Sequence, residues 1–324
     1  MGTISVIIVS WNAREHLRKC LNSIRQAGGP LVREIIVIDN ASTDGSADII
    51  AGQFPEVTLL RCNENLGFAR ANNLGLKRAS GPLLALVNSD VVVHPGCFEA
   101  LSAYLDSQEE VGLVGPKVFG EDGRVQPTCR RLPTLWNTAC RALALDNARY
   151  YWRPFSGTEM RQWDGNTLMD VQALSGCFWL ARRVAVEQVG GLDERFFFYA
   201  EDLDWCKRFG DAGWKVTYAP AATATHFGGG SSANAPLRYS IQMLRANLAY
   251  WRKHRGVFGQ AAYYCLSVVH HSLRLAVRFL KTAVARGRSA GSDDDYKRHR
   301  SLVCLRWLLT GKGVPSDEEC CKSV

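Results

Sequence analysis

The stretch ISVIIVSWNAREHLRKCLNSIRQAGGPLVREIIVIDN, residues 4–40, holds two short apolar runs separated by a helical interval. The runs at 4–10 and 34–39 are rich in Val and Ile and show little alternation with polar residues, the pattern of strands covered on both faces. Between them, residues 13–26 repeat apolar positions at helical spacing. Outward from this unit, 57–61 and 83–88 continue the strands, and 43–53 and 67–79 continue the helices. This βαβα rhythm predicts an α/β fold, one domain on a mostly parallel twisted sheet flanked by helices.

The rhythm lapses between 120 and 170, where Pro127, Pro133 and Pro154 interrupt a run of aromatic and basic residues. That segment reads as an insertion over the sheet edge, inside a first domain of 1–235. Regular structure is expected again over 171–181, with a helix from about Glu201 and a strand over 215–219. Residues 236–286 read as a basic amphipathic helical extension. Ile241, Leu244, Leu248 and Trp251 share one face there, and Leu266, Val269, Leu273, Val277 and Leu280 share another beside Arg274, Arg278 and Lys281. Residues 287–324 read as a charged tail with a short helix at 302–309. The chain shows no internal repeat.

Hydrophobic residues make up 47% and charged residues 22% of the 324, which fits a folded chain and excludes a disordered one. The net charge of +8 is unevenly placed. Residues 1–237 hold 23 Lys+Arg against 25 Asp+Glu, whereas 238–324 hold 16 against 6, a net of +10. A basic excess confined to one end suits an anionic membrane face or a phosphorylated lipid, and no nucleic acid partner is expected. The 11 cysteines show no metal-binding or CxxC spacing and suit a reducing cytoplasm. A strand directly after Met1 argues against a signal peptide, and no apolar run reaches the length of a membrane span. The expected location is cytoplasmic, with peripheral contact on the inner face of the plasma membrane.

In open α/β sheets, ligands bind beyond the carboxyl ends of the strands. Three polar groups stand there: Ser10-Trp11-Asn12, Asp39-Asn40-Ala41-Ser42-Thr43-Asp44-Gly45, and Asn88-Ser89-Asp90. Each has a plainer reading as a turn or helix cap, with Ser42 or Thr43 capping. Neither GxGxxG nor GxxxxGK[ST] is present, so a phosphate needs another partner, and a divalent metal on an aspartate is the obvious one. Farther on, Glu201, Asp202 and Asp204 follow the aromatic run Phe196-Phe197-Phe198-Tyr199. Acids at a helix start complement its dipole. An aromatic wall would also desolvate a carboxylate and make it a better base. His226, before a Gly-rich turn, is either structural or a metal ligand.

Taken together, VIIVSWN (6–12), IIVIDNASTDGS (35–46), NENLGFARANN (63–73), LLALVNSDV (83–91), SGCFWLARR (175–183), VGGLDERFFFYAEDLDWCKR (189–208) and HFGGGS (226–231) resemble the family 2 inverting glycosyltransferases of GT-A fold. The likeness runs over about 3–232 and is greatest to the bacterial rhamnosyltransferase-like branch. It implies transfer of a sugar from a nucleotide-sugar donor, dTDP-rhamnose or a UDP-sugar, to a saccharide or lipid-linked acceptor in cell-surface polysaccharide synthesis. It implies Asp202 as catalytic base, with Glu201 and Asp204 as acceptor contacts or orienting groups. It implies nucleotide contacts from Ser10, Asn12, Asp39, Asn65, Arg70, Asn73 and Ser89, and a Mg²⁺ or Mn²⁺ ion on Asp90 and His226. The sequence departs from the family's DxD pattern at its first position, where Asn88 is a weaker metal ligand than a carboxylate. Arg130, Arg131, Trp136, Trp152 and Trp163 are acceptor-side candidates, with ordinary packing as the alternative. A catalytically silent glycan-binding subunit and a sugar nucleotidyltransferase are the rival functions. The Asp39, Asp90, Asp202 and His226 set argues against the first, and the missing N-terminal Gly-rich loop argues against the second.

Overall fold

A computed structural model describes residues 2–147, 155, 157–160, 163–228, 236–284 and 292–312. The chain forms two compact units, Met1–Leu132 with Glu159–Gly230, and Pro133–Thr158 with Ser231–Val324. Its elements run β1 (Ile4–Ser10), α1 (Arg14–Gly28), β2 (Val32–Asp39), α2 (Ser46–Gln53), β3 (Thr58–Arg61), α3 (Gly67–Arg78), β4 (Leu83–Asn88), β5 (Val91–Val93), α4 (Cys97–Ser107), β6 (Val111–Phe119), β7 (Cys129–Arg130), α5 (Leu135–Ala142), β8 (Met169–Asp170), β9 (Ala173–Leu174), β10 (Phe178–Arg182), α6 (Arg183–Val189), α7 (Glu201–Asp211), β11 (Lys215–His226), α8 (Pro236–Val284) and α9 (Ser292–Thr310).

The first unit is an α/β layer structure on one sheet, ordered β3-β2-β1-β4-β10-β6-β11-β5, with β8 paired on β11. The Ile/Val run of β1 is central because both its faces are apolar. Ile4, Val6, Ile7 and Ile8 are fully buried, each contributing about 1.5–3 kcal/mol through burial. β1 pairs in parallel with β2 and β4, so Ser10 stands opposite Asp39, and Val9 opposite Asn88. That register brings three of the polar strand ends to one rim.

The other half of the sheet is less parallel than the sequence predicts. The 171–181 stretch is two strands, and β10 lies antiparallel between β4 and β6. β11 also runs past the expected 215–219. Its register shifts between Ala219 and Thr223, around Pro220, after which it continues along β6 and pairs antiparallel with β5. A bulge accommodates a proline that would otherwise end the strand.

The 120–170 stretch is divided between the units at Leu132 and Glu159. The second unit contains α5, which starts in a reciprocal Thr134–Asn137 capping box, together with α8 and α9. α8 is broken at Gly256, whose φ of 67° is left-handed. The expected short helix at 302–309 is part of the longer α9. α9 forms because Cys304 and Leu308 recur at helical spacing and pack on Ile241 and Leu244 of α8.

Candidate active site

At the carboxyl ends of β1 and β2, Ser10 and Asp39 are buried, and neither Ser10 Oγ nor Asp39 Oδ1 meets a hydrogen-bond partner. Buried polar atoms without partners are costly, so this pair marks a place prepared for a polar ligand. Loops beside it are locked by side chains. Asn12, at φ 48°, accepts from Thr43 N at 2.8 Å, and its own N–H donates to Ser42 Oγ at 3.0 Å. Ser42 and Thr43 thus brace the 10–12 loop instead of capping α2. Asp44 does the local work there, accepting from Ser46 N and Oγ at 3.0 and 2.5 Å. Asn65 Oδ1 accepts from Asn40 Nδ2 and Gly67 N, both at 2.9 Å, and Asn40 Oδ1 accepts from Leu66 N at 2.8 Å. Asn12 and Asn65 therefore shape the cradle. Exposed Arg70 and buried Asp39 both act on the Cys62 thiol, which burial and the Asp39 charge push up while Arg70 opposes them.

Asn73 is not on this rim. Its amide is used on the loop after α6: Nδ2 donates to Leu192 O at 2.8 Å and Glu194 Oε1 at 3.0 Å, and Oδ1 accepts from Leu192 N at 2.9 Å. On α3 it is buried, with both amide hydrogens and one oxygen lone pair taken by that loop.

Asp90 lies in the turn after β4, with Ser89 before it, and the β5–β11 ladder sets His226 opposite Val91. His226 Nε2 stands 3.3 Å from Asp90 Oδ1. The tautomer follows from Gln126. Its Nε2 donates to His226 O at 2.9 Å, so its Oε1, also at 2.9 Å, faces Nδ1 as an acceptor and Nδ1 carries the hydrogen. Nε2 then faces a carboxylate oxygen, and either a proton on the ring or a cation between the two atoms bridges them. Ligands at right angles on an ion, each at about 2.1 Å, would stand about 3 Å apart, the spacing of this pair, although the described residues gather no group of three His, Cys, Asp or Glu around one ion. Burial alone would raise the Asp90 carboxyl, but the hydrogen bond and charge of His226, its own backbone and His16 hold it below the ordinary range. Asn88 donates its backbone N–H to Cys177 O at 2.9 Å, which places it at the β4 end without making it a ligand. Gln126, absent from the sequence reading, has no motif around it; only the fold brings it to His226.

The acidic cluster opens α7. Tyr199 and Ala200 precede it at φ 74° and 66°, two consecutive left-handed residues that cost on the order of 1–3 kcal/mol each. Glu201 is buried, and its Oε2 has no partner. Burial first, and the neighbouring Asp202 second, push its pKa well above the usual carboxylate range and disfavour its charged form. Asp202 Oδ1 accepts from Leu203 N at 2.8 Å, and Oδ2 faces Arg130 Nη1 of β7 at 3.7 Å. Asp204 turns elsewhere. It is fully buried and accepts from Arg208 Nε at 2.9 Å, while that guanidinium donates to Val189 O at 2.6 Å and Gly191 O at 2.7 Å. Asp204 is thus committed to Arg208, which the helix places one turn after it.

The two sides of the site meet at Gly67. Phe68 N donates to Phe197 O at 2.8 Å, and a Cβ at Gly67, whose φ is +78°, would come within 2.5 Å of that same oxygen. Of the acceptor-side candidates, Arg130 reaches the acids. Trp163 packs edge-on to Tyr218 at 4.6 Å and helps line a cavity of about 250 Å³ with Gln126, Thr128 and Met160. Trp136 belongs to the second unit, beside Phe155. Arg131 has a partner of its own, and Trp152 lies outside the described residues.

Residues 5–190 match glycosyl transferase family 2. The chain is 31% identical over 246 residues to the N-acetylglucosaminyl-diphospho-decaprenol L-rhamnosyltransferase of Mycobacterium tuberculosis, covering 72% of this chain and 78% of that protein. Its fold resembles the mannosyltransferase PcManGT of Pyrobaculum calidifontis, solved with GDP-Man and Mn²⁺, at a TM-score of 0.57 and 15% identity over 96% of this chain and 88% of that one. It also resembles GalNAc-T7, solved with UDP, GalNAc and Mn²⁺, at a TM-score of 0.53 and 17% identity over 70% of this chain and 43% of that one. The mixed sheet with its flanking helices is that of a GT-A glycosyltransferase, and with the family match spanning more than half the chain, the protein belongs to glycosyl transferase family 2.

Proposed function

We propose that this enzyme transfers a sugar, with inversion at the anomeric carbon, from a nucleoside diphosphate donor to a saccharide carried on a lipid diphosphate in cell-surface polysaccharide synthesis. The donor is dTDP-rhamnose, with a UDP-sugar as the second candidate. The acceptor class and the sugar follow the named activity of the mycobacterial relative. The observation that carries the reading is the strand-end rim, where Ser10 Oγ and Asp39 Oδ1 lack partners and His226 Nε2 faces Asp90 Oδ1 at 3.3 Å.

In this mechanism Asp39 accepts a hydrogen bond from the pyrimidine ring, with Ser10 beside it and Arg70 and Ser89 toward the phosphates. Asp90 and His226 would hold a divalent ion, Mg²⁺ or Mn²⁺, and Asn88 would turn its amide to sugar or phosphate. When bound, the ion offsets the negative charge that grows on the departing diphosphate. Asp202 Oδ2 takes the proton of the acceptor hydroxyl. That oxygen bonds to the anomeric carbon as the carbon–diphosphate oxygen bond breaks, and the electron pair leaves on the diphosphate. Attack from the face opposite the leaving group inverts the centre. Glu201, protonated, adds no second charge beside the base, and Arg130 orients it.

The nine cysteines among the described residues are all free, which supports a reducing compartment, and we place the enzyme on the cytoplasmic side of the membrane that carries its acceptor. A thermal-shift panel of nucleotides with and without Mn²⁺ tests the donor site. A metal-dependent rise specific to dTDP or UDP is expected; equal shifts from all nucleotides, with no metal effect, would remove the assignment.

A further inference from the structure

Beyond Gly256, α8 has two unlike sides. One is covered: Ser267 and Leu275 are buried, and Tyr264 and Val268 pack with Cys304 and Leu308, the Tyr264 hydroxyl donating to Leu308 O at 2.9 Å. The other is bare. Phe258 is 90% exposed, Val269 40%, Leu273 42%, Val277 51% and Leu280 66%. These positions lie at intervals that keep one helix face, over about 33 Å of axis. Every exposed residue from Val257 to Leu280 is uncharged. An apolar stripe of this length on a folded surface marks a contact with a membrane or another protein.

We propose that this stripe, flanked by Arg274, Arg278 and Lys281, docks in the headgroup layer of an anionic phospholipid bilayer.

Charge selects the bilayer over a second copy of the chain. α8 holds eight Lys+Arg and no Asp or Glu in its 49 residues, and residues 238–324 sum to +10 (16 − 6). Two copies packed stripe to stripe would bring these cations together, whereas an anionic leaflet neutralises them. The flank is already crowded. Burial first, then the charges of Arg300, Arg278 and Arg141, push Arg274 below its ordinary range, and an anion relieves that repulsion. The Arg298 guanidinium lies 5.9 Å over the ring of Phe279, the arrangement of a long cationic side chain reaching from an apolar face toward headgroups. Among the described residues no helix is long and apolar enough to cross a membrane. A two-faced, cation-edged helix is instead the form that lies in the interface plane.

Co-sedimentation of the full chain with phosphatidylcholine vesicles, with and without phosphatidylglycerol, tests this directly. The proposal expects at least about tenfold stronger binding to the anionic vesicles, weakening as salt rises. Leu273→Glu with Leu280→Glu should lower that binding by about tenfold or more. Leu273→Gln with Leu280→Gln should lower it less, and circular dichroism should show helix content unchanged in both. Wild-type protein that ignores anionic vesicles at low salt overturns the proposal. So does a Gln pair that binds as wild type, or a wild-type dimer that the Glu pair converts to monomer without change in vesicle binding. The assay needs neither donor nor acceptor, so its failure leaves the transfer reaction standing, and failure of the transfer reaction leaves it standing.

Discussion

His226 Nε2 stands 3.3 Å from Asp90 Oδ1, with Gln126 fixing the imidazole so that Nε2 faces the carboxylate. Two atoms held this way are bridged by a proton on the ring or by a cation, and the three residues come from three separate segments of the first unit.

His226→Ala or Asp90→Asn should remove the Mn²⁺ dependence of nucleotide binding. Gln126→Leu, which leaves both ligands in place but frees the ring, should weaken metal affinity by roughly 10–100-fold. Isothermal titration of Mn²⁺ in the presence of dTDP or UDP checks all three. Unchanged affinity in Gln126→Leu would mean that the ring needs no such support.

Asp202→Asn should lower transfer by about 10²–10⁴-fold while the thermal shift with nucleotide persists. Unimpaired turnover in that variant would move the base elsewhere on α7.

Glu201→Gln should keep most activity, because a protonated carboxylic acid and an amide are alike in size and charge. It should also change the pH dependence of stability. Glu201 has a folded-state pKa above its ordinary 4.5, so its stabilising protonation is complete below that value and is lost as pH rises toward the folded pKa. Denaturation midpoints of wild type and Glu201→Gln, measured from acid to neutral pH, should therefore diverge in favour of the variant as pH rises. Parallel curves would show that the carboxyl is ionised in the fold.

Asp204→Asn should act on stability. It leaves Arg208 partly buried, holding the 189–191 carbonyls without its carboxylate, and breaking a buried pair costs about 3–5 kcal/mol. Urea denaturation reads the loss. A variant with normal stability and no transfer would restore Asp204 to the acceptor side.

Gly67→Ala should strain a left-handed residue and press a methyl on Phe197 O, costing on the order of 1–3 kcal/mol. Because the contact joins the nucleotide loop to the approach to Glu201, KM for the donor and kcat should both change. Crystallographic or hydrogen-exchange comparison would locate the shift at 65–68 and 196–200.

Much of this protein is legible in its sequence, for local reasons. Short Val/Ile runs without alternation have the pattern of strands covered on both faces, and the helical spacing between them suits parallel neighbours, so β1, β2 and β4 and the polar rim at Ser10, Asp39 and Asn88 are legible in the sequence, whereas β3 at the sheet edge is only half-buried. The spaced motifs led to the family, which the match over 5–190 shows. Tertiary structure decided what depends on which side chain a distant residue meets. It set β10 antiparallel, carried β11 past Pro220 to deliver His226 to Asp90, and recruited Gln126 from a segment with no motif. It also divided the acidic cluster, leaving Glu201 and Asp202 beside Arg130 and committing Asp204 to Arg208, and it turned Asn73 from the nucleotide rim to the 192–194 loop. A one-dimensional pattern fixes the face a residue occupies; its partner, and hence its hydrogen bonds, burial and protonation, is fixed only when the chain closes on itself.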